Sequence, residues 1–128
     1  MADVNRGNRP LSPHLQVYRL PLTAKMSILH RITGAGLTLG ALLVVWQFIG
    51  AAISPSYSNV VDGLLSSILG QLILIGSLWA LSYHTLNGIR HLWWDIGRGF
   101  DLEFTDKANY VVLGGSVVLT LIFLLLIW

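Results

Sequence analysis

Four residues of types that can bind a ligand lie at helical spacing in the first third of the sequence. Ser27, His30, Arg31 and Gly34 fall at positions i, i+3, i+4 and i+7, so a helix places them on one face. A hydroxyl and a guanidinium one turn apart can donate to one oxygen, such as a quinone carbonyl or a haem propionate, and a hydrogen bond from a charged donor contributes about 1.5–3 kcal/mol. The spacing equally fits a capping serine and an arginine that reaches the membrane surface, so both interpretations remain open.

A second candidate is a histidine within an apolar stretch. His84 belongs to a run, Leu64 to Ile89, without any Asp, Glu, Lys or Arg. If Arg90 and His91 mark the membrane surface, His84 lies about 10 Å deeper along a helix. Ionisable groups at such depth are functional candidates, although a histidine hydrogen-bonded in the core is the alternative.

The surroundings of His84 favour a metal centre. Gly88 lies one turn later on the same face, where a missing side chain would let a flat macrocycle approach, and His91 follows at i+7. Because the chain has no cysteine, a histidine-ligated b-type haem is the natural centre. Two ligands from one helix cannot reach opposite faces of one ring. The second ligand would therefore come from a partner, unless His91 serves a different centre.

The elements that must position these residues follow from composition. Of 128 residues, 54% are hydrophobic and 11% charged, well below the charged fraction of about 25% usual in soluble domains. Apolar spans at about 29–53, 64–93 and 108–128 are each long enough for a hydrocarbon core of roughly 30 Å. We expect an all-α membrane protein with three transmembrane helices over 27–128, after an irregular cytoplasmic segment at 1–26. Residues 54–63 are predicted to form a turn-rich connector.

Charge placement predicts the orientation. All eight basic residues fall on the same side of the predicted membrane, either before or at the start of the first span or between the second and third spans: Arg6, Arg9, Arg19, Lys25, Arg31, Arg90, Arg98 and Lys107. By the positive-inside rule the N-terminus and the second loop are cytoplasmic, and the C-terminus is periplasmic. Six aromatic residues are expected in the interfacial belts: Tyr18, Trp93, Trp94, Tyr110, Tyr57 and Trp128. No signal or transit peptide is evident at the N-terminus, which favours a bacterial inner membrane.

Small residues and one acid complete the pattern. Gly36 with Gly40, and Ser66 with Gly70, form small-xxx-small pairs that allow close helix packing, in part against other chains. Asp95, one turn after His91, is placed to pair with it.

Three segments together resemble a known family. RPLSPHLQVYRLP at 9–21, SILHRITGAG at 27–36 and HTLNGIRHLWWD at 84–95 closely resemble, in this order, the cytochrome b membrane-anchor subunit of succinate dehydrogenase, respiratory complex II. The resemblance covers nearly the whole chain. The pairing of S-x-x-H-R with H-x-x-x-G-x-R-H is far more specific than either half.

The resemblance implies an assembly. The family's subunit pairs with a second three-helix anchor into a heterodimeric bundle that holds haem b between the two. An iron–sulfur subunit and a flavoprotein subunit, which carry the iron–sulfur clusters and FAD, dock on the cytoplasmic face. Electrons then pass from succinate to ubiquinone in the membrane. The partners implied are these subunits and lipid, with no nucleic acid.

Residue roles also follow from the resemblance alone. The histidine that opens H-x-x-x-G-x-R-H, here His84, corresponds to the axial iron ligand, with the second ligand on the other anchor. Ser27 and Arg31 correspond to quinone-site residues. His30 and Arg31 would lie toward the haem propionates and His91 near the haem edge, and no catalytic residue is expected in this chain.

Three alternatives remain at this stage. The first is a fumarate-reductase anchor, which would oxidise a quinol with similar architecture. The second is a purely structural anchor without a redox site. The third is a small proton or ion carrier that uses His84 as a relay.

Overall fold

Four helices form the part of the chain that the structure describes. The structure is a computed structural model that describes residues 7, 10, 12–14 and 18–127. The helices are α1 (Leu22–Ile53), α2 (Pro55–Ser66), α3 (Ile68–Asp95) and α4 (Leu102–Ile127). Helices α1, α3 and α4 are long and apolar enough to cross a membrane. The prediction of an all-α protein with three transmembrane helices is confirmed, while Arg6, Arg9 and Trp128 lie outside the described residues.

Two of the long helices begin earlier than the apolar runs suggest. Helix α1 begins at Leu22 rather than near residue 29, directly after Pro21, whose carbonyl accepts the first helical hydrogen bonds from Ala24 and Lys25 at 3.1 and 3.2 Å. Its 32 residues extend about 48 Å, which exceeds the hydrocarbon core. Helix α4 begins at Leu102 rather than near 108. The polar residues that precede the first and third apolar runs therefore belong to helices α1 and α4.

The prediction of a turn-rich connector at 54–63 was wrong, because this segment forms most of α2. The Ser54 side chain accepts a hydrogen bond from the Tyr57 backbone N–H at 3.3 Å, and Pro55 occupies the first helical turn. A serine cap followed by proline is a sequence signature of a helix start. Gln47 of α1 donates to the Asp62 carboxylate of α2 at 2.6 Å.

A sharp turn separates α2 from α3. Ser67 has an extended backbone (φ −66°, ψ 157°), and its side chain caps α3 by accepting from the Gly70 N–H at 3.1 Å. The second span therefore begins at Ile68, four residues later than predicted. A Cβ on Gly70 would meet the Leu64 carbonyl oxygen and lie 2.7 Å from the Leu65 Cα. Gly70 thus permits this turn, a different role from the interhelical packing expected of it.

The interior of the bundle is polar and its exterior apolar. Among the described residues, seven that are polar or charged are buried: Thr33, Ser82, Asn87, Arg90, Asn109, Ser116 and Thr120. The hydroxyls of Ser82, Ser116 and Thr120 donate to carbonyls of their own helices at 2.7–2.9 Å. Small hydroxyl residues let helices approach closely in lipid. Apart from a small buried cluster of Met26, Tyr83 and Val112, most of the large apolar side chains of the described residues face outward, toward lipid or other chains.

Buried hydrogen bonds connect the three long helices. The Tyr83 hydroxyl of α3 donates to the Met26 carbonyl of α1 at 2.7 Å. Arg90 of α3 donates to the Asn109 side-chain oxygen of α4, and the Asn109 amide donates to the Thr23 hydroxyl of α1 at 2.9 Å. The Asn109 side chain therefore bridges all three spans at their predicted cytoplasmic ends.

The loop between α3 and α4 is short and tightly turned. Gly97 and Gly99 have φ values of 77° and 78°, a region that side chains rarely occupy. The Gly99 carbonyl accepts from the Trp94 indole at 3.0 Å and from the Thr105 hydroxyl at 3.1 Å. The Asp101 carboxylate caps α4. This loop fixes the separation of α3 and α4 at one end of the bundle.

The absence of cysteine allows the predicted orientation to be measured with single-cysteine variants. Arg98 in the α3–α4 loop and Asn59 on α2 are both exposed. We expect a membrane-impermeant maleimide to label Asn59→Cys in intact spheroplasts. Arg98→Cys should be labelled only in inside-out vesicles stripped of peripheral subunits. The reverse pattern would overturn the positive-inside assignment.

Two fully buried asparagines provide a matched test of the bundle's polar contacts. Both the oxygen and the nitrogen of the Asn109 side-chain amide are hydrogen-bonded. By contrast, neither amide atom of Asn87 has a partner within the described part of the chain. Alanine leaves a similar cavity at either site, but only Asn109→Ala strands the Arg90 guanidinium. We expect Asn109→Ala to destabilise the assembly by about 1.5–3 kcal/mol more than Asn87→Ala. Equal thermal dissociation temperatures for the two variants in detergent would contradict this.

Candidate functional site

One nitrogen of the His84 ring is fixed against α1. Nδ1 lies 3.2 Å from the His30 carbonyl oxygen and 3.3 Å from the Thr33 hydroxyl oxygen. Because a carbonyl can only accept, Nδ1 carries the proton and the lone pair is on Nε2. Nε2 has no hydrogen-bond partner among the residues that the structure describes, and the ring is half-buried. His84 therefore presents one uncommitted ligand atom.

Three of the four histidines lie in contact. The His30 and His84 rings stack, with centroids 3.8 Å apart and an interplanar angle of 11°. The His91 ring centroid lies 5.2 Å from that of His30, and Trp94 contacts His91 edge-on at 5.0 Å. Stacked rings do not direct their nitrogens at one point. Accordingly, the described residues contain no group of three or more His, Cys, Asp or Glu side chains arranged to hold a metal ion.

Two glycines shape the space around His84. A Cβ on Gly34 of α1 would lie only 2.9 Å from the His84 Cε1, closer than real Cβ contacts. Gly34 therefore allows α1 to approach the imidazole. By contrast, a Cβ on Gly88 would meet nothing within 4 Å, so this chain leaves the α3 surface beside Gly88 open.

Ser27 and Arg31 are available to a ligand. Ser27 is half-buried and Arg31 exposed, and neither side chain has a hydrogen bond or ion pair within residues 18–127. Ser27 lies seven residues before Gly34, so the two occupy one face of α1, about 10 Å apart along its axis. The predicted stripe on α1 is thus a continuous surface that begins at Ser27 and ends against His84.

Arg90 and Asp95 lie close to this surface on α3, in different environments. Arg90, taken from the sequence as a marker of the membrane surface, is buried in the bundle and lies over the Trp94 ring at 4.6 Å. Asp95 is exposed and, in the part of the chain that is described, makes no hydrogen bond or close ion pair, but its carboxylate lies near enough to His91 to interact with it electrostatically. The Arg90 guanidinium donates to Asn109 and lies over an aromatic face, while its buried Nε has no hydrogen-bond partner among the described residues.

Sequence reasoning missed Thr33 and Asn109. Both are polar residues beside apolar runs, and polarity at membrane depth is the available signal. Their partners are 51 and 19 residues away in the chain. Spacing within one helix therefore could not identify these contacts.

The other end of the bundle is chemically plain. An apolar groove of about 720 Å³ lies between α1, α3 and α4, and none of its lining residues is ionisable. It is lined by residues such as Leu37, Val44, Phe48, Leu74 and Leu124. The groups able to bind a polar or metal-containing ligand therefore concentrate around His84.

A family model described as the succinate dehydrogenase/fumarate reductase transmembrane subunit matches residues 5–123. The chain belongs to this family. The match includes all three membrane-spanning segments except the last residues of α4, and both sequence motifs around the candidate site.

Individual relatives named as succinate dehydrogenase cytochrome subunits are similar to most of this chain. The chain is 52% identical over 125 residues to a succinate dehydrogenase cytochrome b556 subunit of Paracoccus denitrificans, covering 98% of this chain and 96% of the relative. The subunit of that name from Rickettsia conorii is 36% identical over 114 residues, 89% of each chain. A mitochondrial cytochrome b560 subunit of Sus scrofa is 39% identical over 111 residues, covering 83% of this chain and 64% of the relative.

These similarities and the three apolar helices define the chain's setting. It is a multi-pass protein of a bacterial membrane and a membrane-anchor cytochrome b subunit of the succinate dehydrogenase type. It is therefore one subunit of an enzyme complex.

Proposed function

We propose that this chain binds haem b together with a second anchor subunit and helps to form a ubiquinone-reduction site. In this role it receives electrons that partner flavoprotein and iron–sulfur subunits take from succinate. The observation that carries the proposal is the geometry of His84, with Nδ1 hydrogen-bonded to α1 and Nε2 unpaired. A packing histidine would normally satisfy both nitrogens.

The state of His84 fits an axial haem ligand. A neutral imidazole that donates its second N–H to a carbonyl is the usual arrangement of a metal-binding histidine, because that bond fixes the tautomer and raises ligand basicity. If haem b is bound here, His84 would supply one ligand to the iron and the partner anchor the other. Among the described residues of this cluster, His84 has one ring nitrogen hydrogen-bonded to α1 and the other unpaired, whereas the Nδ1 of His30 is buried without a hydrogen-bond partner. When bound, haem b supplies a one-electron redox centre.

The residues around His84 also suit the edges of a haem group. The His30 ring stacks on His84 and also contacts His91, and Arg31 is an exposed cation on the same helix as His30. Cationic and hydrogen-bonding groups of this kind suit haem propionates. The open α3 surface at Gly88 gives a flat ligand room beside the helix. A partner anchor would then cover the ligand from the opposite side.

Ser27 and Arg31 carry the quinone part of the proposal. Both are unpaired within the described residues and lie one turn apart on α1. The hydroxyl and the guanidinium can donate together to one quinone carbonyl and stabilise its reduced, more negative forms. Their position toward the predicted cytoplasmic end places the quinone nearer than haem to electron-donating subunits on that face. The relatives' names favour succinate oxidation over the reverse direction.

Replacing the proposed iron ligand tests the haem assignment. His84→Leu removes Nε2, and we expect the low-spin haem b absorption to be lost or altered in the purified complex. His14→Leu is a control that removes a histidine outside the cluster. A wild-type oxidised and dithionite-reduced spectrum for His84→Leu would assign the ligand elsewhere.

Replacing the quinone donors tests the second site. Arg31→Ala removes a charged donor worth about 1.5–3 kcal/mol, so we expect quinone reduction to fall about 10- to 100-fold. Ser27→Ala removes a neutral donor and should cost about 2- to 10-fold. Succinate oxidation with a soluble dye acceptor should remain near wild type in both.

Arg98→Ala is the matched control for Arg31→Ala, since Arg98 is an exposed arginine in the α3–α4 loop, 5.7 Å from the Trp93 ring. We expect its quinone kinetics to stay near wild type. Unchanged quinone kinetics in Arg31→Ala would remove that residue from the site. A parallel loss of dye reduction would indicate failed assembly instead.

A further inference from the structure

We propose that Thr33 and Gly34 are positioning residues that fix the proton and the ring plane of His84. This inference rests on the proposed role of His84 as a haem ligand and assigns the part of α1 that prepares it. Neither residue is expected to touch the iron. Both act through the imidazole.

Thr33 provides a second acceptor for the Nδ1 proton of His84, beside the His30 carbonyl. Its hydroxyl proton has two acceptors within its own helix, the carbonyl oxygens of Leu29 and His30, each at 2.9 Å. With that proton committed, the hydroxyl oxygen offers a lone pair to the His84 Nδ1–H at 3.3 Å. Together with the His30 carbonyl at 3.2 Å, it gives this N–H two acceptors. The proton is thereby held on Nδ1 and the lone pair on Nε2.

Gly34 determines how close the imidazole lies to α1. A Cβ at this position would be 2.9 Å from Cε1, 3.6 Å from Nδ1 and 3.8 Å from Nε2 of His84. The imidazole is rigid, its Nδ1 is hydrogen-bonded, and one face is covered by the His30 ring at 3.8 Å. A methyl group would therefore rotate the ring, lengthen the Nδ1 contacts or push α1 away from α3. Each response changes the direction of the Nε2 lone pair.

Thr33 and Gly34 affect different properties of His84 as an iron ligand. Loss of the Thr33 acceptor weakens the pull on the Nδ1 proton, so the imidazole becomes a poorer electron donor to the iron. A poorer donor stabilises the ferric state less, and the haem midpoint potential rises. Crowding at Gly34 changes the orientation of the imidazole plane, which determines the anisotropy of the low-spin haem EPR signal.

The Gly34 experiment uses the assembled complex with its haem. We expect Gly34→Ala to shift or broaden the low-spin EPR signal, or to lower the haem content. Gly36→Ala is the matched control, because a Cβ there meets nothing within 4 Å, and it should retain the wild-type signal. A wild-type EPR signal in Gly34→Ala at full haem content overturns the role of Gly34.

The Thr33 experiment applies even if Gly34→Ala fails to assemble. Thr33→Val keeps the shape and removes the acceptor, and should raise the haem midpoint potential, while Thr33→Ser should restore it. Thr38→Val is the control, since this exposed threonine bonds only the Gly34 carbonyl, at 2.9 Å. Equal potentials in Thr33→Val and wild type overturn the role of Thr33. An unaltered haem spectrum in His84→Leu would instead refute the ligand assignment itself, which separates the two failures.

Discussion

A guanidinium buried between three helices organises one end of this protein. Lipid offers no hydrogen bonds, so a cation within the bundle must find its partners inside the protein. Arg90 finds them in the Asn109 side chain and the Trp94 ring, and Asn109 in turn bonds Thr23. These contacts hold α1, α3 and α4 in one arrangement. The histidine cluster lies beside this network and depends on the helix positions that it sets.

Helix α3 has two neighbouring faces with different tasks. Tyr83, Asn87 and Arg90, spaced at i, i+4 and i+7, point into the bundle and are buried. His84 and His91, one position further along, lie at the edge where α3 meets His30 of α1. A rotation of one residue, about 100°, separates a structural face from the face that carries the candidate ligand-binding histidines. This explains how adjacent residues of one motif, Arg90 and His91, come to have unrelated environments.

Much of this architecture could be predicted from sequence because lipid imposes simple rules. The three spans, the stripe from Ser27 to Gly34 and the position of His84 within an apolar run follow from apolar length and helical periodicity. The short helix α2 was missed because residues typical of turns (serine, proline, asparagine, aspartate and glycine) make up much of its segment, and the cap formed by Ser54 was taken for a turn. The burial of the Arg90 side chain and the contact between Thr33 and His84 depend on side chains that are distant in sequence. Periodicity within one helix carries no information about them.

The placement of the ligand pocket along the chain bears on the order of biosynthesis. The groups that hold His84 are the His30 carbonyl, the Thr33 hydroxyl and the space at Gly34, all on α1. Synthesis proceeds from the N-terminus, and membrane helices form before they pack together. The pocket's residues are therefore all present once α3 has been made, before α4 leaves the ribosome. The bond between Arg90 and Asn109 forms only when α4 arrives, so the last helix locks a pocket whose parts came earlier.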